Sequence, residues 1–156
     1  MSQLAGFPHI SLGESTGGSI VNPASFCGVF GLCPTYGRVS RYGLLDYANS
    51  LDKIGPMGKE LYGIASVSEV ISGHDAKDST SLNNPIDDYN SYLEKNVKGM
   101  KFGIIKETFG EGIDPLVEKN VWNAIKTLES NGAKYHEVSL PKTIRYGIPT
   151  YYLIAT

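Results

Sequence analysis

Much that would announce a function at sight is missing from this sequence. Its 156 residues carry 14 Lys and Arg against 16 Asp and Glu, a formal net charge of −2. There is no basic surplus with which the chain alone could grip nucleic acid or an anionic membrane surface, although a partner subunit could still do so. Cysteine is scarce: Cys27 and Cys33 stand with five residues between them. Zinc-ligand pairs are closer together and come with a second pair, which is absent. The three histidines, His9, His74 and His136, are scattered, so no metal site is expected and the cysteines read as buried reduced thiols. No apolar run is long enough to span a bilayer, and no charged-then-apolar leader opens the chain. The expected location is the cytoplasm, with no membrane partner.

What is present is an ordinary globular mix, 41% hydrophobic and 19% charged, of a length that suits one domain. Glycine is the outlier, at 18 residues. Most of them precede residue 64, which predicts a backbone of turns and close approaches rather than long regular elements.

The chain reads in three stretches. Residues 1–58 are glycine-rich. Within them "FCGVFGL" (26–32) suits a buried strand or a packed helix start, "PTYGRVSRYGLL" (34–45) suits loops and short strands, and "NSLDKIGPMG" (49–58) ends in a Gly-Pro turn signal. Residues 59–95 hold a helix-compatible pattern from Glu60 to Ser72, stopped by Gly73, and then a polar surface loop over 74–90. Residues 96–156 predict a βαβ unit with parallel strands and a right-handed crossover. Its first strand is "KFGIIK" (101–106). Its helix has Asp114 as N-cap, Pro115 in the first position, an apolar stripe of Val117, Val121, Ile125 and Leu128, and a stop at Gly132; "AKYHEVSL" (133–140) is its second strand. Trp122, beside the stripe, reads as a packing residue. The last residues, "IPTYYLIAT" (148–156), are apolar with neither helix stop nor polar tail, as if the chain continued.

The stretch with chemical promise is "GESTGGSIVNP" (13–23). It is no phosphate loop, because neither Gly-Lys-Ser/Thr nor Gly-x-Gly-x-x-Gly is present. Residue types alone leave two readings open. One is a plain Gly-Gly turn. The other is a catalytic loop in which the amides of Thr16, Gly17, Gly18 and Ser19 line one concavity and Ser19 attacks a carbonyl whose oxygen lies among those donors. No histidine is suitably placed to serve as its base, so a Ser-His-Asp triad is not expected.

The run "LGESTGGSIVNPASFCGVFGLCPTYGRVSRYGLLDYANSLDKIGPM" (12–57) resembles the amidase signature family. "ISGHDAKDSTS" (71–81), "VKGMKFGIIKETFGEGID" (97–114) and "EVSLPKTIRYGIPTYYLIA" (137–155) continue the likeness over nearly the whole chain. The resemblance implies an α/β fold with a mixed central sheet flanked by helices, of which N-terminal and C-terminal portions would be missing here. It implies a Ser-Ser-Lys mechanism in which Ser19 is the acylated nucleophile and the amides of Thr16, Gly17 and Gly18 form the oxyanion hole. The second serine and the general-base lysine are expected upstream of residue 1, which would leave the isolated chain nearly inert. Tyr151 falls in a stretch that borders the substrate pocket in family members.

Within the family, "PTYGRVSRYGL", "SLDKIGPM" and "DSTS" are similar to the branch that hydrolyses glutamine for tRNA-dependent amidotransferases. Ammonia released there passes to a partner subunit that activates the carboxylate of misacylated Glu-tRNA(Gln) or Asp-tRNA(Asn) with ATP and Mg. No cofactor is expected in this chain itself. The alternatives are that the isolated chain is a catalytically inert fragment or interaction module, or that the protein is a general amidase of the same family acting on small amides. Two positions depart from the common family form, which has Asp at Ser15 and Arg at Val21. Losing both members of a charge pair is gentler than losing one. Glu14 is expected to be a solvated loop carboxylate.

Overall fold

The computed structural model describes residues 9–155, which form two compact units that meet in sequence at residues 94 and 95. The first unit is built on a three-stranded antiparallel sheet. Its strands are β1 (Ser11–Ser15), β2 (Phe30–Gly31) and β3 (Lys53–Gly58), with β3 in the centre. Between β1 and β2 lies a short helix, α1 (Val21–Phe26), and after β3 come α2 (Leu61–Ile71) and α3 (Tyr89–Leu93). Ile20, Ala24, Ile64 and Ala65 are buried and form the apolar core of this unit together with Val39 and Ala48.

The stretch expected to end in a turn at Gly55-Pro56 is instead the central strand. A proline is tolerable there because of where its missing N–H would point. Pro56 accepts a hydrogen bond from the Leu32 amide at 3.0 Å, so its carbonyl faces the β2 side, and in a strand the N–H of the same residue faces that side too. The absent donor therefore falls opposite Leu32, the first residue past β2, where the only loss is one bond at that strand's end, and the ladder with β1, in which Leu12 lies opposite Pro56, loses nothing.

The helix expected over Glu60–Ser72 is observed as α2, closed by a bond from the Ser72 amide to the Ser68 carbonyl. Residues 34–45 carry only an isolated bridge, Val39 to Ser72. The polar segment after α2 is a loop, but one strapped down by its own side chains. Ser40 Oγ donates to Asp75 at 2.7 Å, the Arg41 amide to Asp78 at 2.8 Å, and the Thr80 hydroxyl to Asp78 at 2.7 Å. Asp78 and Ser81 are buried. Short polar side chains here replace the regular hydrogen bonds that the backbone lacks.

The bond from the Arg41 amide, followed by that from Thr80, holds the Asp78 carboxyl below its ordinary value of 3.8 against the opposing effect of burial. A carboxyl lowered in the folded state contributes stability above its unfolded pKa and loses it as the pH falls through the folded value. Asp78→Asn should therefore be less stable than the parent at neutral pH, and the gap should close below about pH 4. Urea titrations of both proteins across that range check this.

The second unit contains β4 (Lys101–Ile105), α4 (Pro115–Ser130), β5 (Lys134–Val138) and all but the last residue of α5 (Pro141–Ala155). The two strands are parallel, with Lys101 opposite Lys134 and Ile105 opposite Val138. Asp114 caps α4 as expected, its carboxylate accepting from the Leu116 amide at 2.7 Å, and Gly132 follows the helix at φ +89°. Ile104, Ile125 and Ala133 are buried. Trp122 packs between Phe109, 5.4 Å away between ring centres, and the ring edge of Tyr135 at 6.3 Å. The apolar stripe is only partly covered: Ile125 is buried, while Val117, Val121 and Leu128 remain exposed. The contact face is centred on Ile125 and Trp122 instead. Residues 148–155, to which the sequence assigns no element, belong to α5, which tolerates Pro149 in its interior. Among the described residues no helix is long and apolar enough to cross a membrane.

Truncating the α4 cap isolates its contribution. Asp114→Ala should destabilise this unit by about 1 kcal/mol, the usual cost of an N-cap carboxylate. Thermal melts followed by circular dichroism would show the shift.

Candidate active site

Residues 16–20 connect the end of β1 to the start of α1, and burial changes along them. Ser15, Thr16 and Ile20 are buried, whereas Gly17 and Ser19 are exposed. Ile20 is fully buried and anchors the loop directly behind Ser19. Gly18 takes φ +140°, a value that side-chain-bearing residues rarely adopt, and its carbonyl accepts from the Asn22 amide at 2.9 Å to begin α1. The inward side chains thus hold the turn and leave the Ser19 side chain at the surface.

Each of the expected oxyanion donors can be placed. The amides of Thr16 and Gly17 donate to no backbone carbonyl in this turn. The Gly18 amide donates to Ser15 Oγ at 3.1 Å. Ser15 is therefore an internal acceptor for one of the three amides, a local job that the shorter hydroxyl performs without burying a charge. Val21, the other departure from the common family form, is the first residue of α1 and is exposed.

Thr16 ties the loop to the rest of the unit. Its hydroxyl lies 2.6 Å from an Asp52 carboxylate oxygen and 3.0 Å from a Glu14 oxygen. Asp52 is fully buried and also accepts from the amides of Tyr47 at 2.6 Å and Ala48 at 2.9 Å. Burial opposes its ionisation, but the Thr16 hydroxyl and the amides of Ala48 and Tyr47 outweigh burial and hold the carboxyl below its usual range. Glu14 is not a solvated loop carboxylate: it lies on β1, half-buried and within reach of Thr16. Asp52 is a residue that sequence reasoning misses. The one signal pointing to it is a carboxylate set immediately before an apolar strand.

Among the described residues no side chain hydrogen-bonds the Ser19 hydroxyl. His74 faces Ser81, with 3.2 Å between its Nδ1 and Ser81 Oγ, and His136 is exposed on β5. Lys53 donates to the Leu51 carbonyl. Tyr151 lies on α5 in the second unit, its ring set edge-on to that of Tyr152 at 5.2 Å. A concavity of about 460 Å³ in the first unit is lined by Cys33, Arg38, Ser72, Asp87 and neighbours, but by none of residues 13–22. Its cation is already engaged, because the Arg38 guanidinium contacts Asp87 at 2.9 Å and the Pro85 carbonyl at 2.7 Å. Among the described residues no group of three His, Cys, Asp or Glu is arranged to hold a metal ion, and both cysteines are free thiols, half-buried rather than buried as expected.

Comparison with known proteins adds a family to this geometry. The amidase family model matches residues 5–156. The A-type subunit of the glutamyl-tRNA(Gln) amidotransferase from Cyanothece sp. is 57% identical over 151 residues, which is 97% of this chain and 31% of the relative. The crystal structure of the corresponding glutamyl-tRNA(Gln) amidotransferase subunit from Thermotoga maritima superposes with a TM-score of 0.88 at 46% identity, covering 94% of this chain and 32% of that one. Native peptide amidase from Stenotrophomonas maltophilia superposes with a TM-score of 0.82 at 30% identity, covering 98% and 32%. The chain thus spans about a third of the length of the relatives it matches.

Proposed function

Because this chain belongs to the amidase family, we propose that it is the nucleophile-bearing third of a glutamine-hydrolysing amidotransferase subunit. One observation carries the reading. Ser19 stands exposed and, among the described residues, without a hydrogen-bond partner, at the end of a loop whose neighbouring side chains are buried and held. The name of the 57%-identical relative supports glutamine hydrolysis coupled to tRNA amidation over a small-amide substrate.

In this mechanism Ser19 Oγ attacks the side-chain carboxamide carbon of glutamine while its proton leaves through a relay. The carbonyl oxygen becomes an oxyanion and is stabilised by the amides of Thr16 and Gly17, with Gly18 joining when its amide turns from Ser15. Collapse of the tetrahedral adduct breaks the C–N bond, and the relayed proton departs with ammonia. Water then hydrolyses the Ser19 ester to glutamate and restores the hydroxyl. The relay is assigned to a second serine and a lysine of the complete subunit, the lysine kept neutral by its surroundings. Tyr151 is assigned to the border of the glutamine pocket. The ammonia serves a partner subunit, which uses ATP and Mg to amidate misacylated tRNA.

The test is an acyl-trapping experiment. The complete subunit carrying this sequence, given glutamine and hydroxylamine, should divert its acyl group into γ-glutamyl hydroxamate at the expense of glutamate. An active enzyme that forms no hydroxamate would overturn the acyl-enzyme. Turnover of simple amides in preference to glutamine would favour the small-amide reading, towards which the likeness to peptide amidase points. The 156 residues on their own, with no side chain among the described residues placed to take the Ser19 proton, should be slower than the complete subunit. Loss of positioned acid–base catalysis accounts for about 10²–10⁴-fold, and a coupled glutamate assay measures it.

A further inference from the structure

We infer that Asp52 is the positioning residue of the catalytic loop, acting through the Thr16 hydroxyl to aim the amides of Thr16 and Gly17 outward. This rests on the proposed glutamine-hydrolysing role of Ser19. The sheet sets up the pairing. Ser15 lies opposite Lys53 in the β1–β3 ladder, so one step further along the same antiparallel register Thr16 lies opposite Asp52. The link is long-range in sequence, 36 residues, whereas the other two donors to Asp52 come from its own turn, at Tyr47 and Ala48.

Asp52 and Glu14 flank one hydroxyl, which has a single proton to give. The shorter distance, 2.6 Å against 3.0 Å, assigns that proton to Asp52. A side chain drawn inward at Thr16, together with buried Ser15 on one side and buried Ile20 on the other, leaves the peptide between them little freedom to rotate. A turn-closing role alone would be served by a neutral acceptor. A fully buried carboxylate is costly unless donors meet its oxygens, and the donor from outside its own turn is the residue that opens the catalytic loop.

The experiment compares kcat and KM for glutamine in the complete subunit. Asp52→Asn should lower kcat by about 10–100-fold with KM changed by less than about twofold, the signature of a lost transition-state alignment. Thr16→Val should give a similar loss, and Thr16→Ser should recover most of it. The double variant Asp52→Asn/Thr16→Val should be no worse than either single one, because both break the same link. Ser81→Ala, which removes a buried hydroxyl bonded to the Asp78 carbonyl away from the loop, should lower the melting temperature and leave kcat unchanged. Losses that multiply in the double variant overturn the path through Thr16. A wild-type kcat for Asp52→Asn, or a fall in kcat for Ser81→Ala that matches it, overturns the positioning role. Glutaminase activity retained by Ser19→Ala overturns the underlying functional reading instead, so the two failures are distinguishable.

Discussion

Gly55→Ala should leave the unit that contains the proposed catalytic loop unable to hold its sheet. A methyl group built on Gly55 would lie 2.1 Å from the Leu32 carbonyl oxygen, 2.9 Å from Pro34 Cδ and 3.2 Å from Ile20 Cδ1. The first of these is backbone and cannot swing aside as a long side chain would. Relief requires the segment after β2 to move outward, which breaks the bond from the Leu32 amide to Pro56. Moving Ile20 disturbs the buried anchor behind Ser19. Overpacking ordinarily costs about 1–3 kcal/mol, and a clash with main chain lies at or beyond the upper end. Domains of this size are stable by only about 5–15 kcal/mol. Urea denaturation should show a large loss of midpoint or no cooperative transition. Gly147→Ala is the control: its methyl meets nothing within 4 Å, and the change sits inside α5, where it should stabilise by about 0.5–1 kcal/mol. Equal behaviour of the two variants would refute the steric account.

Ser19→Ala should abolish the proposed glutamine hydrolysis by the complete subunit while leaving its melting temperature nearly unchanged. The side chain is exposed and makes no hydrogen bond among the described residues, so its removal costs the fold little. Chemically it removes the only atom assigned to carry the acyl group. Deleting the nucleophile of a serine hydrolase lowers kcat by on the order of 10⁴–10⁶-fold, and the surviving activity comes from the oxyanion donors and from binding. The variant should still bind glutamine and form no hydroxamate. Single-turnover measurement of ammonia release gives the answer, and a residual rate within tenfold of the parent would sink the assignment of Ser19.

Legibility in the sequence follows the range of the interactions. Asp114-Pro115 and Gly132 mark both ends of α4 because caps act over three or four residues, and α2 is legible from its spacing. Ser19 and its glycines stand out because "TGGS" is contiguous. Pro56 reads as a turn because the local rule holds until a neighbouring strand ends beside it, and no local signal shows where β2 stops. Pro149 conceals α5 in the same way, since proline ordinarily breaks a helix interior. The Asp78 straps and the Asp52–Thr16 link are invisible for a different reason. The Arg41–Asp78 bond and the Thr16–Asp52 bond join residues separated by 37 and 36 positions, and a single sequence carries no record of such a pairing. The uncovered part of the α4 stripe shows that an apolar face predicts burial only where some other element arrives to bury it.

The ladder that sets Ser15 against Lys53 also constrains how this stretch can be recombined with its relatives. A crossover between residues 16 and 52 would take β1 from one parent and β3 from the other, separating Thr16 from the carboxylate it was fitted to. A crossover at residue 94 keeps both strands from a single parent. Chimeras joined at the second position should retain turnover more often than those joined at the first, even when both fold equally well.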